Sequence, residues 1–276
     1  MNDTPQAMTI AGTDSSGGAG MTADLNTFSA QGVYGANIVV SVTAQNTCGV
    51  QKVQMITPDM IMAQLSAVAD DLKIRAVKTG MLGDTATVET VAKAMTKFNF
   101  GPLILDPVMV AKGGAQLLTD EAVSAVKTLL MPLATLVTPN LPEAEVLTHL
   151  SIKTTDDIML AAQQLQTLGA KNVLLKGGHG DAPIVLDYIL LADGRHFWLR
   201  TKRFNTARTH GTGDTISAAI TAQLALGHDL ETAIIAAKTY VDATIRDGIL
   251  VGHRYGPLNH LAQSTIKNQP EVIYDI

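Results

Sequence analysis

Near its C-terminal third the chain reads Thr209-His210-Gly211-Thr212-Gly213-Asp214-Thr215, followed at once by the small, apolar run Ile216-Ser217-Ala218-Ala219-Ile220. The two glycines let the consecutive backbone N–H groups of Gly211, Thr212 and Gly213 turn into one concavity, and a helix starting behind them adds positive potential. Such a concavity holds an anion. A carboxylate set inside it, Asp214, has a chemical use if it takes a proton from a hydroxyl whose attack builds negative charge on a phosphoryl group. The same residues also read as a loop ending in a helix cap, with Asp214 as partner of the helix dipole. The rest of the chain decides between the two.

Four further polar residues stand where short apolar runs end. Asp106 follows residues 103–105, Asn140 and Glu143 form an Asn-x-x-Glu pair after 136–138, and Lys176 follows 173–175. Taken singly, Asp106-Pro107 reads as a turn, Asn140 and Glu143 as a capping box, and Lys176 as a solvated lysine. In an open parallel sheet, residues just past the strand ends meet along one edge. Together they supply what phosphoryl transfer needs: Asp106 and Glu143 as carboxylates for Mg²⁺, Lys176 to neutralise phosphate charge, and Asp214 for the acceptor hydroxyl.

The elements that must position these residues alternate in type. Residues 7–12 read as a short buried strand opening into Thr13-Asp14-Ser15-Ser16-Gly17-Gly18-Ala19-Gly20, with a helix over 21–31. That order suggests a dinucleotide site. The second strand, 38–42, however, runs into Thr43-Ala44-Gln45-Asn46-Thr47, which has no acid for a ribose, and no GK[ST] follows the glycines. Neither common nucleotide fingerprint is satisfied. Beyond it the pattern predicts an edge strand over 50–56, a helix over 58–71 with Pro58 in its first turn, a strand over 76–79 and a helix over 84–98. After the three short strands that deliver Asp106, Asn140 and Lys176, a hairpin over 184–191 and 196–199 turns at Asp193-Gly194, and helices over 212–226 and 230–247 follow. Repeated strand–helix units predict an α/β fold with a mostly parallel central sheet and a ligand edge at the strands' carboxyl ends. No linker, repeat or low-complexity run divides the chain, so residues 1–276 read as one domain.

Composition narrows the function classes. With 46% hydrophobic and 16% charged residues over 276 positions, the chain is long and apolar enough for a sizeable core. A net charge of −5 gives no general attraction to nucleic acid or to an anionic membrane. The basic cluster of Arg200, Lys202, Arg203 and Arg208 reads as a solvated face or a local phosphate contact. Cys48 is the only cysteine, which excludes an intrachain disulfide and a cysteine metal site; it is expected to pack as a small apolar group. The histidines show no metal-ligand spacing, and His210 reads as a phosphate contact or as a loop cap. The opening MNDTPQ has no basic leader, and no stretch approaches a membrane span. A cytoplasmic enzyme is the expectation.

The longer motifs carry a resemblance. MTIAGTDSSGGAGMTADLNTFSAQGVYG (8–35), VTAQNTCGVQ (42–51), VKTGML (77–82), DPVMVAKGG (106–114), VTPNLPEAEVL (137–147), LLKGGH (174–179), THGTGDTISAAI (209–220) and GPLNH (256–260) stand in order along nearly the whole chain. They resemble the bacterial hydroxymethylpyrimidine/phosphomethylpyrimidine kinases of thiamine biosynthesis. That resemblance implies the ribokinase-like fold, a three-layer αβα arrangement with a small edge-strand lid region. It also implies ATP and Mg²⁺ as cofactors and a homodimer. It further implies phosphorylation of 4-amino-5-hydroxymethyl-2-methylpyrimidine and then of its monophosphate.

Residue by residue, the resemblance assigns Asp214 as the base, with Gly211, Thr212 and Gly213 as the anion hole. Asn140 and Glu143 match the element that organises Mg²⁺ and the ATP phosphates, Asp106 joins Glu143 at the metal, and Lys176 and Thr212 lie on the nucleotide side. Asp24 and Gln45 match residues that hold the aminopyrimidine, and Gly12, Met81 and Val108 match the pocket wall. The side chains suit those roles, since Gln45 offers a donor and an acceptor, Asp24 accepts from an amino group, and Met81 and Val108 can sandwich a flat ring. Core packing is the other reading of Met81 and Val108. The segment 110–114 is expected to form a hinged flap over the nucleotide. One departure stands out: many members of the family carry cysteine where this chain has Asp214, and in some relatives that cysteine engages the aldehyde of pyridoxal. Two alternatives stay open, a pyridoxal or pyridoxine kinase and a catalytically silent nucleotide-binding regulator.

Overall fold

The structure is a computed structural model that describes residues 3–110, 117–178, 182–265 and 269–274. The order of elements begins β1 (Gln6–Gly12), α1 (Gly20–Ala30), β2 (Tyr34–Asn46), β3 (Gly49–Met55), α2 (Pro58–Asp71), β4 (Ala76–Thr79), α3 (Thr85–Lys97) and β5 (Leu103–Leu105). After the short helix α4 (Asp120–Ala125) and two irregular turns come β6 (Leu136–Val137), α5 (Leu141–Thr148), α6 (Thr155–Thr167) and β7 (Val173–Leu175). β8 (Ile184–Leu190), β9 (His196–Lys202), α7 (Thr212–Ala225), α8 (Leu230–Arg246) and β10 (Glu271–Ile273) complete it.

Among the described residues ten strands join one sheet in the order β10-β9-β8-β7-β6-β5-β4-β1-β2-β3. The six strands from β7 to β2 pair in parallel. β8, β9 and β10 extend one side antiparallel, and β3 extends the other. Side chains alternate across the sheet, and both faces are covered. Met8 and Ile10 join a core with residues of α2 to α6, including Ile61, Leu65, Val88, Val91, Leu147 and Leu165. Ala7 joins Phe28 of α1 and Ala218 and Ala222 of α7 on the opposite face, where Ile216, Ile220, Ile234 and Tyr240 form the α7–α8 core. These layers match the expected ribokinase-like αβα arrangement.

Three readings change. β2 does not end at residue 42 but runs to Asn46 and pairs antiparallel with β3 through the Thr47-Cys48 turn. Its polar tail was unreadable as strand because an edge hairpin exposes one face to water, and Val42 and Ala44 are exposed while Thr43 is buried. A register shift between Ala44 and Gln45 re-aims the second of these side chains. Cys48 lies exposed in the turn rather than packed. Helices α4 and α6 and strand β10 have no counterpart among the predicted elements.

Candidate active site

The parallel strands deliver their polar ends to one edge. Gly12 ends β1, Gly80 and Met81 follow β4, Asp106 follows β5, Asn140 caps α5 after β6, and Lys176 follows β7. α7 starts at the same edge. Its N-cap Gly211 adopts φ +80°, and a Cβ there would fall 2.0 Å from the Gly18 carbonyl oxygen, so the glycine loop after β1 and the glycine loop before α7 interlock. Only glycine fits that approach. Thr212 Oγ1 donates to the Thr209 carbonyl at 2.8 Å and fixes the turn. Gly213 and Asp214 occupy the first helical turn, where backbone N–H groups have no helical acceptor and face outward from the N-terminus.

Asp214 is held from beneath. Its Oδ1 lies 3.8 Å from Lys78 Nζ, and its side chain is 16% exposed, whereas Lys78 is fully buried. Lys78 Nζ donates to Asp24 Oδ1 at 2.7 Å, and Thr9 Oγ1 donates to Asp24 Oδ2 at 2.6 Å. Burial opposes the charge on Lys78, but the carboxylates of Asp24, Asp214 and Asp106 outweigh it and hold the ammonium above its ordinary range. For Asp24, burial and the repulsion from Asp214 push the carboxyl up, against the pull of Lys78. Asp24, expected to meet a bound ring, bonds Lys78 through one oxygen and Thr9 through the other, and its side chain has no exposed surface.

On the other side of α7, Lys176 Nζ donates to Asp106 Oδ1 at 2.7 Å. Thr138 and Ser217 hydroxyls also donate to Asp106, at 3.2 and 3.3 Å. A Cβ at Gly213 would stand 3.4 Å from Lys176 Nζ and 3.7 Å from Asp106 Oδ2, which puts this cluster directly against the anion hole. Asn140 and Glu143 form the reciprocal cap of α5: Glu143 N donates to Asn140 Oδ1 at 2.9 Å, and Asn140 N donates to Glu143 Oε2 at 2.8 Å. Burial, reinforced by Asp106, pushes the Glu143 carboxyl up to about 7, although Lys176 and backbone N–H groups oppose the shift. Lys176 moves up because Asp106, Glu143 and Asp214 outweigh its burial. Asp106 and Glu143 thus set two hard carboxyl groups beside one ammonium, a donor set that suits a small oxygen-seeking cation such as Mg²⁺. Among the described residues no group of three or more His, Cys, Asp or Glu side chains forms a metal cage.

The expected pocket-wall residues come together in part. A Cβ at Gly12 would stand 2.6 Å from Met81 Cε and 2.4 Å from Ser41 Oγ, so a larger residue would close that corner. Met81 and Val108 are both half-buried, Val108 two residues beyond Asp106. Gln45 reaches across to α7: its side-chain amide lies 3.3 Å from His210 Nε2, which is also 2.8 Å from Asp14 Oδ2. A carboxylate at that distance accepts the proton held on Nε2. Burial raises the Asp14 carboxyl, but the bonds from His210 and Ser16 outweigh it and hold the group below its ordinary range. His210 is therefore tied to Asp14 and Gln45. Lys78 and Asp14 carried no role in the sequence reading. A lysine inside the buried four-residue strand Ala76–Thr79 was the available signal. Of the expected flap, Val110 is exposed and residues 111–114 lie outside the described residues.

His260 braces the start of α7, its Nε2 in a hydrogen bond with Thr215 Oγ1 at 3.1 Å. Burial pushes this imidazole down to about 4 from the ordinary 6.5, so the folded protein keeps it neutral while the unfolded chain protonates it in between. The folded state loses stability as pH falls from 6.5 toward 4, by on the order of 3 kcal/mol in full. Urea unfolding of the wild type and of His260→Gln at pH 7 and pH 4.5 checks this. The gap between the two is expected to shift toward the variant at the lower pH, and an unchanged gap would refute the neutral imidazole.

A family model for phosphomethylpyrimidine kinase matches residues 14–259. The hydroxymethylpyrimidine/phosphomethylpyrimidine kinase of Haemophilus influenzae is 49% identical over 269 residues, covering 96% of this chain and 100% of that protein. Among solved structures, the phosphomethylpyrimidine kinase of Clostridium difficile 630 is 39% identical with a TM-score of 0.77, over 87% of this chain and 99% of its own. The Staphylococcus aureus pyridoxal kinase, solved with AMP-PCP and pyridoxal, superposes with a TM-score of 0.88 at 31% identity, over 98% of both chains. On the strength of this similarity in sequence and fold, the chain belongs to the phosphomethylpyrimidine kinase family.

Proposed function

We propose that this protein is an ATP-dependent kinase of thiamine biosynthesis. It phosphorylates the hydroxymethyl group of 4-amino-5-hydroxymethyl-2-methylpyrimidine and then the resulting monophosphate. The observation that carries the reading is Asp214, a partly exposed carboxylate in the first turn of α7 with the glycine-built anion hole on one side and the Lys176–Asp106–Glu143 cluster on the other. Asp214 takes the proton of the acceptor hydroxyl, and the N–H groups at the start of α7 hold the charge that develops on the transferred phosphoryl group. Lys176 meets phosphate charge from the β7 side, with Asn140 and Thr212 shaping the nucleotide end. Asp106 and Glu143 would hold Mg²⁺, which when bound supplies positive charge to the phosphates. Gln45, Gly12, Met81 and Val108 receive the flat ring.

Two further features belong to this reading. The β2–β3 hairpin ends the sheet with Val42 and Val53 exposed, an unpaired edge that supports a homodimer. Among the described residues no helix is long and apolar enough to cross a membrane, and we place the enzyme in the cytoplasm.

The likeness to the S. aureus pyridoxal kinase favours one second reading, phosphorylation of pyridoxal or pyridoxine, which are also flat hydroxymethyl heterocycles. Turnover measured by ADP release with Mg-ATP separates the two. Hydroxymethylpyrimidine and its monophosphate are expected to be the faster acceptors. Faster turnover of pyridoxal or pyridoxine would move the protein to vitamin B6 salvage, and silence on all four with ATP still bound would indicate a regulator.

A further inference from the structure

Lys78 is a fully buried lysine. It sits in a strand with neighbours on both sides, its side chain has no exposed surface, and an ammonium there is strongly disfavoured unless carboxylates compensate it. One carboxylate would suffice for neutrality, and Asp24 provides it at 2.7 Å. Yet a second, Asp214 Oδ1, stands 3.8 Å away, on a side chain that is 16% exposed. A Cβ at Gly80 would lie 3.7 Å from Lys78 Nζ and 3.8 Å from Asp214 Oδ1, so the backbone at Gly80 runs directly beside the ammonium and the carboxylate. The charged groups facing this trio are Asp106 and Lys176, beyond α7.

We propose that Lys78 is a positioning residue for Asp214, and that Asp24 serves the reaction only through Lys78, as the counter-charge of its ammonium. The proposal rests on the role given to Asp214 above. In the transfer step the acceptor O–H proton passes to the Asp214 carboxylate. The acceptor oxygen forms its bond to the γ-phosphorus, and the bond from that phosphorus to the bridging oxygen breaks, its electron pair leaving with ADP. Asp214 becomes neutral in that instant. With Asp24 still ionised, Lys78 is never left as an unpaired buried cation, so Asp214 changes charge without a large penalty in the sheet beneath it. Before the step, the same ammonium holds the Asp214 carboxylate in place at the helix start. This arrangement gives Asp24 a task that needs no contact with the ring.

A double-mutant cycle tests it with whichever hydroxymethyl acceptor the wild type turns over. Asp24→Asn and Lys78→Met are each expected to lower kcat about 10- to 100-fold with KM for the acceptor nearly unchanged, the size expected when a reacting group is held out of place. In the Lys78→Met background, Asp24→Asn is expected to cost nothing further. A rise in acceptor KM on Asp24→Asn that persists in that background would overturn the proposal, because Asp24 would then touch the substrate itself. The double variant removes both charges and serves as the folding control, checked by circular dichroism and melting, should Lys78→Met alone fail to fold. A second readout does not depend on any acceptor. The protected Lys78 ammonium is expected to give a ¹H–¹⁵N signal that is absent in Lys78→Met and displaced in Asp214→Asn. An undisplaced signal would refute the link between Lys78 and Asp214, whereas inactivity of the wild type on every acceptor would count only against the substrate reading.

Discussion

Asp214→Asn is expected to lower kcat by about 10³-fold while leaving the melting temperature and nucleotide binding close to those of the wild type, the scale at which a positioned general base contributes. The amide is isosteric with the carboxylate, so the start of α7 keeps its shape and the packing around this mostly buried side chain is retained. What disappears is the lone pair that takes the acceptor proton. Titration calorimetry with an ATP analogue separates this from loss of binding, and steady-state turnover reads the chemistry. A variant with wild-type kcat would remove Asp214 from the mechanism.

The glycines of the anion hole give the second large effect, and the two positions are expected to fail in different ways. Gly211 has φ +80°, and a methyl group there would stand 2.0 Å from Gly18 O and 3.0 Å from Gly18 C, backbone atoms that cannot step aside alone. Gly211→Ala therefore forces the two glycine loops apart, and a loss of about 3 kcal/mol or more of stability is expected together with loss of turnover. Gly213 lies inside the first helical turn without a positive φ, and its added methyl would meet Lys176 Nζ at 3.4 Å, an ordinary contact. Gly213→Ala is expected to fold with wild-type stability and to lose turnover, because the methyl occupies space between the helix N-terminus and the Lys176–Asp106 pair. Melting curves and kcat measured on both variants check the contrast. Equal stability of the two would contradict the interlocked loops, and full activity of Gly213→Ala would contradict an anion in that space.

Much of this site was legible from the chain alone, for a physical reason. Asp106, Asn140 and Lys176 each follow an apolar run too short for a helix, and parallel topology then sends all three to one edge. The glycine-rich start of α7 declared itself by composition. What could not be read were pairings between distant residues. Lys78 and Asp24 are 54 positions apart, and His210 and Asp14 are 196 apart, so nothing local ties either pair together. Asp24 shows the consequence: its position in a substrate-side motif suggested contact with the ring, whereas packing of α1 on β1 and β4 turns it toward Lys78 and Thr9. Gln45 shows another. Its place on a strand was hidden by the polar sequence of an edge hairpin, and only pairing with β3 makes 43–46 extended. Asn140 and Glu143 read equally well as a cap and as a phosphate element, and the structure shows them capping α5 right beside Lys176.

Phosphorus NMR of the enzyme with Mg-ATP and hydroxymethylpyrimidine is the most direct measurement of all. A phosphomonoester resonance is expected to grow first and then to give way to the paired resonances of a diphosphate ester, with ADP accumulating in step. ATP decaying to inorganic phosphate without any ester, or an ester forming only when pyridoxal replaces the pyrimidine, would contradict a pyrimidine kinase built on Asp214.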